Sequence, residues 1–107
     1  MKTTLLLLAT AALAVSLPVY AEGNYEAGKA KSTTCAACHG FDGNSTVPSF
    51  PRLAGQHRDY LLQALHEYKT GKRTNPIMGG QVQALSEADM EDLTTYFSEQ
   101  IGLTMKR

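Results

Sequence analysis

Cys35, Cys38 and His39 fall within five consecutive residues, Cys35-Ala36-Ala37-Cys38-His39, and the chain of 107 residues has no other cysteine. Thiols three positions apart lie on neighbouring parts of one helical turn. At that separation two thiols can each alkylate one of the two vinyl groups along an edge of a porphyrin. An imidazole directly after the second thiol can then swing beneath the ring and bind iron from the proximal side. The pattern is the signature of c-type haem attachment. It occurs once, so one covalently attached haem c, with its iron, is expected per chain. Other uses of the pair fit less well. A redox dithiol calls for a βαβ context, which the chain lacks. A zinc site needs a second cysteine pair or a His-x₃₋₅-His to complete a tetrahedron. A plain disulfide takes no account of the histidine that follows.

Iron held by His39 alone would keep an open face, whereas a thioether on that face closes it and raises the potential. Beyond the first residues the chain offers Met78, Met90 and Met105. Met90 falls at helical spacing with Leu93 and Phe97, which points to packing. Met105 lies in a basic tail of the frayed kind. Met78 stands in Asn75-Pro76-Ile77-Met78-Gly79-Gly80, among neighbours small enough to admit a porphyrin. It is the expected second metal ligand beside His39. His66 points away from the apolar stripe of its helix and reads as a surface residue. His57, near a helix start, could reach a haem edge, although a surface role is commoner.

The elements that must position these residues are helical. Asn24 is a plausible N-cap for a first helix from about Tyr25 to Ser32, with Glu26 in its first turn. Gly28 sits inside that helix, where it should cost about 1 kcal/mol relative to alanine; either that cost is tolerated or another helix crosses closely there. After the cysteine motif, Gly40-Phe41-Asp42-Gly43-Asn44 is a run of turn formers, and Ser45 to Phe50 reads as irregular loop held by Pro48 and Pro51. A second helix carries the stripe Leu61, Ala64, Leu65 and Tyr68 and is stopped by Gly71. Proline and paired glycines predict that Lys72 to Gly80 is an extended loop rather than a regular element. A final helix begins near Ser86, where Ser86-Glu87-Ala88-Asp89 approximates a capping box. No convincing strand is present. The expected fold is all-α, with three to four helices and long loops wrapped around the haem.

The first residues have the parts of a secretory signal: Lys2, the apolar run Leu5 to Val15, then Pro18 and small residues before a cut after Ala21. The run is well short of the roughly 20 apolar residues that span a bilayer, so stable membrane insertion is not expected. Residues 1–21 are therefore read as a cleaved signal peptide and 22–107 as a single domain. A domain of that size has a thin core, which a buried haem ring would supplement. Without Lys2 the formal charge is −1, from 9 basic and 10 acidic residues. No basic excess argues for nucleic acid.

Taken together, Cys-Ala-Ala-Cys-His-Gly, Pro-Arg-Leu-Ala-Gly-Gln, Asn-Pro-Ile-Met-Gly-Gly and Leu-Thr-Thr-Tyr-Phe occur in an order that resembles the class I c-type cytochromes. The likeness is to small bacterial monohaem carriers and to single halves of dihaem periplasmic cytochromes, and it covers nearly all of Glu22 to Leu103. The resemblance implies a monohaem cytochrome c domain with Cys35 and Cys38 bound to haem, His39 proximal and Met78 distal. It implies that the Pro51 carbonyl accepts a hydrogen bond from the other nitrogen of the His39 ring. Leu53, Leu93 and Phe97 would wall the pocket, Arg52, Gln56 and Tyr60 would neighbour the propionates, and Gly28 would meet Tyr96 where the first and last helices cross. One departure stands at Lys31, a position often large and apolar in the family. Its stem can cover apolar surface while its ammonium reaches water.

The function so implied is periplasmic transfer of single electrons, with no catalysis by the chain itself. Partners would be other redox proteins, for example a cytochrome bc complex, a terminal oxidase or a periplasmic reductase. They would dock transiently through a small interface near the thioether edge. Two other readings are a haem enzyme or gas sensor with a labile distal site, and the haem subunit of a larger dehydrogenase.

Overall fold

The computed structural model describes residues 7–16 and 23–102. Lys2, the cut after Ala21 and Met105 lie outside the described residues. Residues 7–16 form no regular element, and no helix among the described residues is long and apolar enough to cross a membrane. Five helices follow: α1 (Tyr25–Lys31), α2 (Thr33–His39), α3 (Arg58–Thr70), α4 (Pro76–Val82) and α5 (Glu87–Ser98). No strand occurs among the described residues. The all-α class is as expected, and residues 41–57 form the long loop.

Local chemistry sets most boundaries. The Asn24 side chain accepts a hydrogen bond from the Ala27 N–H at 2.8 Å, capping α1. Ser32 then breaks the helix. Its hydroxyl donates to the Lys29 carbonyl at 2.8 Å, and the chain restarts as α2, so the cysteine motif rides on its own helix. Gly71 closes α3 in the left-handed conformation, φ 81°. Ser86 and Asp89 form a full capping box at the start of α5.

Two expectations are corrected. The first is the number of helices, five rather than three to four, since the cysteine motif and Met78 each ride on a short helix of their own. The second is that Lys72 to Gly80 is not an extended loop throughout, because α4 begins at Pro76 and carries Met78. Proline is suited to the first turn of a helix, where its missing N–H would have no partner anyway. The Asn75 side chain satisfies the next two N–H groups. The glycines that suggested a breaker are merely tolerated: a Cβ on Gly79 or Gly80 would meet nothing within 4 Å.

The core lies along α5. Leu93, Tyr96 and Phe97 cluster with Leu61 of α3, and Tyr25, Cys35, Leu53 and Leu85 pack against them. The Tyr96 ring lies 5.2 Å from Tyr25 and 5.0 Å from Phe97, centroid to centroid. Met90 is 2 % exposed, in keeping with a packing role. Where α1 crosses α5, Gly28 is buried, and a Cβ there would collide with the Asp92 backbone and come within 2.9 Å of Tyr96 Cβ. This is the crossing that the family resemblance implies. Gly23 makes a second close approach that the sequence does not announce, against the Glu91 backbone and Thr95.

Lys31 does not simply extend into water. Its ammonium lies 2.9 Å from Asp89 Oδ1 and 2.6 Å from Asp92 Oδ2, so an ion-pair cluster reinforces the α1–α5 crossing. The Asp92 carboxylate also accepts the Asn24 N–H at 2.7 Å. The Ser86 backbone N–H, then Lys31 and the Ser86 hydroxyl, lower the Asp89 carboxyl to about 2. Lys31, followed by the Asn24 backbone, lowers that of Asp92.

Two tests follow from this crossing. Gly28→Ala gains helix propensity but forces backbone apart, and a net loss of about 1–3 kcal/mol is expected from the urea midpoint. A midpoint at or above that of the parent would mean that α1 and α5 part without penalty. The aspartates have folded-state pKa values below their unfolded ones. Their contribution is therefore complete above the ordinary value of 3.8 and is lost as pH falls towards about 2. Thermal midpoints are expected to drop through that window, less steeply in Lys31→Ala; equal slopes would show the ion pairs to be idle.

Candidate haem site

Helix α2 carries three of the four chemistry-bearing residues. Cys35 and Cys38 stand one helical turn apart, both half-buried and not joined to each other. Burial pushes the Cys35 thiol above its ordinary range. His39, the last residue of the helix, is only 7 % exposed. Its Nδ1 lies 2.7 Å from the Pro51 carbonyl oxygen. A carbonyl can only accept, so Nδ1 carries the proton and donates it. In the tautomer this hydrogen bond selects, the lone pair is on Nε2, the form suited to binding a metal.

The loop after α2 is tied down so that Pro51 can meet the ring. The Leu53 and Ala54 N–H groups donate to the Gly43 carbonyl at 2.8 and 3.2 Å, and the Gly55 N–H donates to Phe97 at 3.1 Å. The Tyr96 hydroxyl donates to the Phe41 carbonyl at 2.8 Å. Gly43 has φ 78°, and a Cβ there would sit 2.8 Å from the Ala54 nitrogen, 2.9 Å from Phe97 and 3.2 Å from Leu53. Sequence reasoning took Gly43 only as a turn former. Its further role is to let the loop close on Leu53 and Phe97, and the only signal for it was the glycine itself. Leu53 is half-buried and Phe97 is 3 % exposed, both in contact with the core.

Helix α4 brings half-buried Met78 near His39. The other candidate ligands are placed elsewhere or otherwise engaged. His66 meets Glu87, with Nε2 2.8 Å from a carboxylate oxygen. His57 is exposed at the start of α3. Around the loop, Arg52 donates to the Ser45 carbonyl at 3.3 Å and the Gln56 side chain accepts from the His57 N–H at 2.9 Å. Tyr60, half exposed, faces the Arg73 guanidinium. A groove lined by Glu26, Lys29, Ser32, Thr33, Phe41 and Tyr96 opens elsewhere, and none of Cys35, Cys38, His39 or Met78 lines it.

This donor set fits a c-type haem. Two thiols sit one turn apart, an imidazole presents Nε2 with its other nitrogen anchored, and a thioether lies nearby. It fits zinc poorly, since no group of three His, Cys, Asp or Glu side chains comes together among the described residues.

Known proteins resemble this chain in sequence and fold. The cytochrome c family model matches residues 25–100. Cytochrome c4 of Pseudomonas aeruginosa is 49 % identical over 81 residues, covering 76 % of this chain and 40 % of that protein. The crystal structure of reduced recombinant cytochrome c4 from Pseudomonas stutzeri superposes with a TM-score of 0.72 at 44 % identity, covering 76 % of this chain and 47 % of that one. A protein of Thiomonas intermedia named thiosulfate dehydrogenase electron acceptor is 35 % identical over 80 residues, 74 % of this chain and 37 % of its own length. The chain thus spans less than half the length of these relatives. With a family match that runs from α1 through α5, and with Cys35, Cys38 and His39 on one short helix, this chain belongs to the cytochrome c family.

Proposed function

We propose that this protein carries single electrons in the periplasm through one haem c, bound by Cys35 and Cys38 and ligated by His39 and Met78. The observation that carries this reading is the hydrogen bond from buried His39, through Nδ1, to the Pro51 carbonyl, which leaves Nε2 as the ring nitrogen available to a metal. When bound, the haem supplies an iron that alternates between the ferric and ferrous states. The residues of the chain do the rest. Cys35 and Cys38 hold the group by thioether bonds, so a small domain retains it without an extensive pocket. Pro51 fixes the tautomer and tilt of His39. Met78 closes the opposite side with a soft sulfur donor, which favours the reduced form. Leu53 and Phe97 line the pocket with apolar surface and exclude water.

With His39 and Met78 both holding the iron, no position would remain for a substrate, and the protein would act by docking rather than by catalysis. Partners are other redox proteins, engaged transiently through a small interface. The Thiomonas relative's name, an electron acceptor of a dehydrogenase, supports partners of that kind. Residues 1–21 act as a cleaved export signal and residues 22–107 form the monohaem domain. Export suits an attachment chemistry that needs reduced thiols outside the cytoplasm.

The test is optical. The oxidised, haem-loaded protein is expected to show the far-red methionine–iron band and no spectral change with carbon monoxide once reduced. Met78→Ala is expected to lose the band and gain carbon monoxide binding. Persistence of the band in that variant would remove Met78 from the iron, and a colourless mature protein would remove the haem altogether.

A further inference from the structure

Helix α4 is weak in itself and strongly held at its ends. It has only seven residues, too few to be stable alone, and two of them are glycines. Before it, the Asn75 side-chain oxygen accepts two N–H groups, from Ile77 at 3.0 Å and from Met78 itself at 3.1 Å. Two residues earlier, Arg73 is locked onto α3. Its N–H donates to the Glu67 carbonyl at 3.1 Å, and its guanidinium lies 3.2 Å from the Glu67 carboxylate. The same guanidinium stands over the Tyr60 and Tyr68 rings, 5.8 and 5.5 Å from their centroids. At the far end of α4, Val82 is fully buried, and just beyond it the Lys69 ammonium donates to the Leu85 carbonyl. The position of Met78 therefore depends on these fixings more than on the helix that bears it.

We propose that the α3–α4 turn is a latch on Met78, with Asn75 and Arg73 as positioning residues that set how readily its thioether leaves the site opposite His39. The inference rests on the reading of Met78 as the second ligand. Asn75 acts directly, by holding the Met78 backbone N–H. Arg73 acts through the turn, by fixing where Asn75 stands against α3. A planar guanidinium between two rings is not reproduced by an ammonium, so lysine is a poor substitute at this position.

Imidazole competition tests the latch, because imidazole can take the distal position only when Met78 releases it. The oxidised holoprotein is titrated with imidazole while the far-red band is followed, and urea midpoints are measured alongside. Asn75→Ala is expected to bind imidazole about fivefold more tightly than the parent, as loss of a helix cap implies. Asn75→Asp, which keeps the acceptor, should stay within twofold. Arg73→Ala should bind a few-fold more tightly, with Arg73→Lys closer to it than to the parent. A merely structural role would lower the urea midpoint without moving imidazole affinity. Should Asn75→Ala fail to load haem, the two Arg73 variants decide the matter. Affinities within twofold of the parent in Arg73→Ala, and in Asn75→Ala where it loads, would overturn the latch. Met78→Ala separates the two layers. If it keeps the far-red band, the ligand reading itself fails; if it loses the band while the turn variants bind imidazole like the parent, only the latch fails.

Discussion

The buried side of α5 is the constraint on which the site depends. This helix fixes both segments that flank His39. On one side α1 crosses it at Gly28 closely enough to exclude a Cβ, and α1 leads through Ser32 directly into the helix bearing both thiols. On the other side the Phe97 carbonyl accepts the Gly55 N–H, and the Tyr96 hydroxyl donates to the Phe41 carbonyl. The loop that presents Pro51 to the His39 ring is thus anchored to the same helix as the helix that presents the ring to Pro51. A 2.7 Å hydrogen bond between residues twelve apart in the chain needs such a common reference.

Charge is handled locally. The chain is neutral in formal charge, and the Asp89 and Asp92 carboxyls are lowered by the hydrogen-bonded groups around them. The cluster of Lys31, Asp89 and Asp92 is the clearest case. Exposed ion pairs of this kind contribute little each and are screened by salt. Here the same carboxylates also accept backbone N–H groups, from Ser86 to Asp89 and from Asn24 to Asp92. They fix helix ends and helix crossing together. An apolar side chain at position 31 could pack against α5, but it would not order these carboxylates.

What the sequence made legible follows from how local each signal is. The thiol spacing, the Asn24 and Ser86 caps and the Gly71 stop are decided within a few residues, and the structure has them where the pattern puts them. The signal at α4 is also local, but there composition and position point in opposite directions. Proline and glycine break helices in the interior, yet proline directly after asparagine is a helix start. Other features could not be read from one segment. That Gly23 and Gly43 face backbone from distant parts of the chain, and that Lys31 finds two aspartates on α5, depends on which elements are brought together by packing. The partner of the Arg73 guanidinium was hidden for the same reason. Two tyrosines eight apart on α3 line up with it only once Gly71 has turned the chain back.

The two proposed ligands are held in different ways, and the difference has a physical origin. His39 ends a helix that is continuous with the core, is almost fully buried, and has its second nitrogen engaged with a loop secured at several points. Moving it would disturb α2, the loop and α5 at once. Met78 sits on a short helix rich in glycine whose order comes from its boundaries. In an electron carrier both positions must stay filled, so that little rearranges when the charge on the iron changes. On the proposed ligation, that requirement would be met on the histidine side by burial and on the methionine side by capping and stacking at a turn. Burial fixes a ligand through many contacts that no single substitution removes, whereas a turn concentrates the same duty in a few side chains. On the proposed ligation, the methionine side is therefore where one substitution would alter the behaviour of the iron without unfolding the domain.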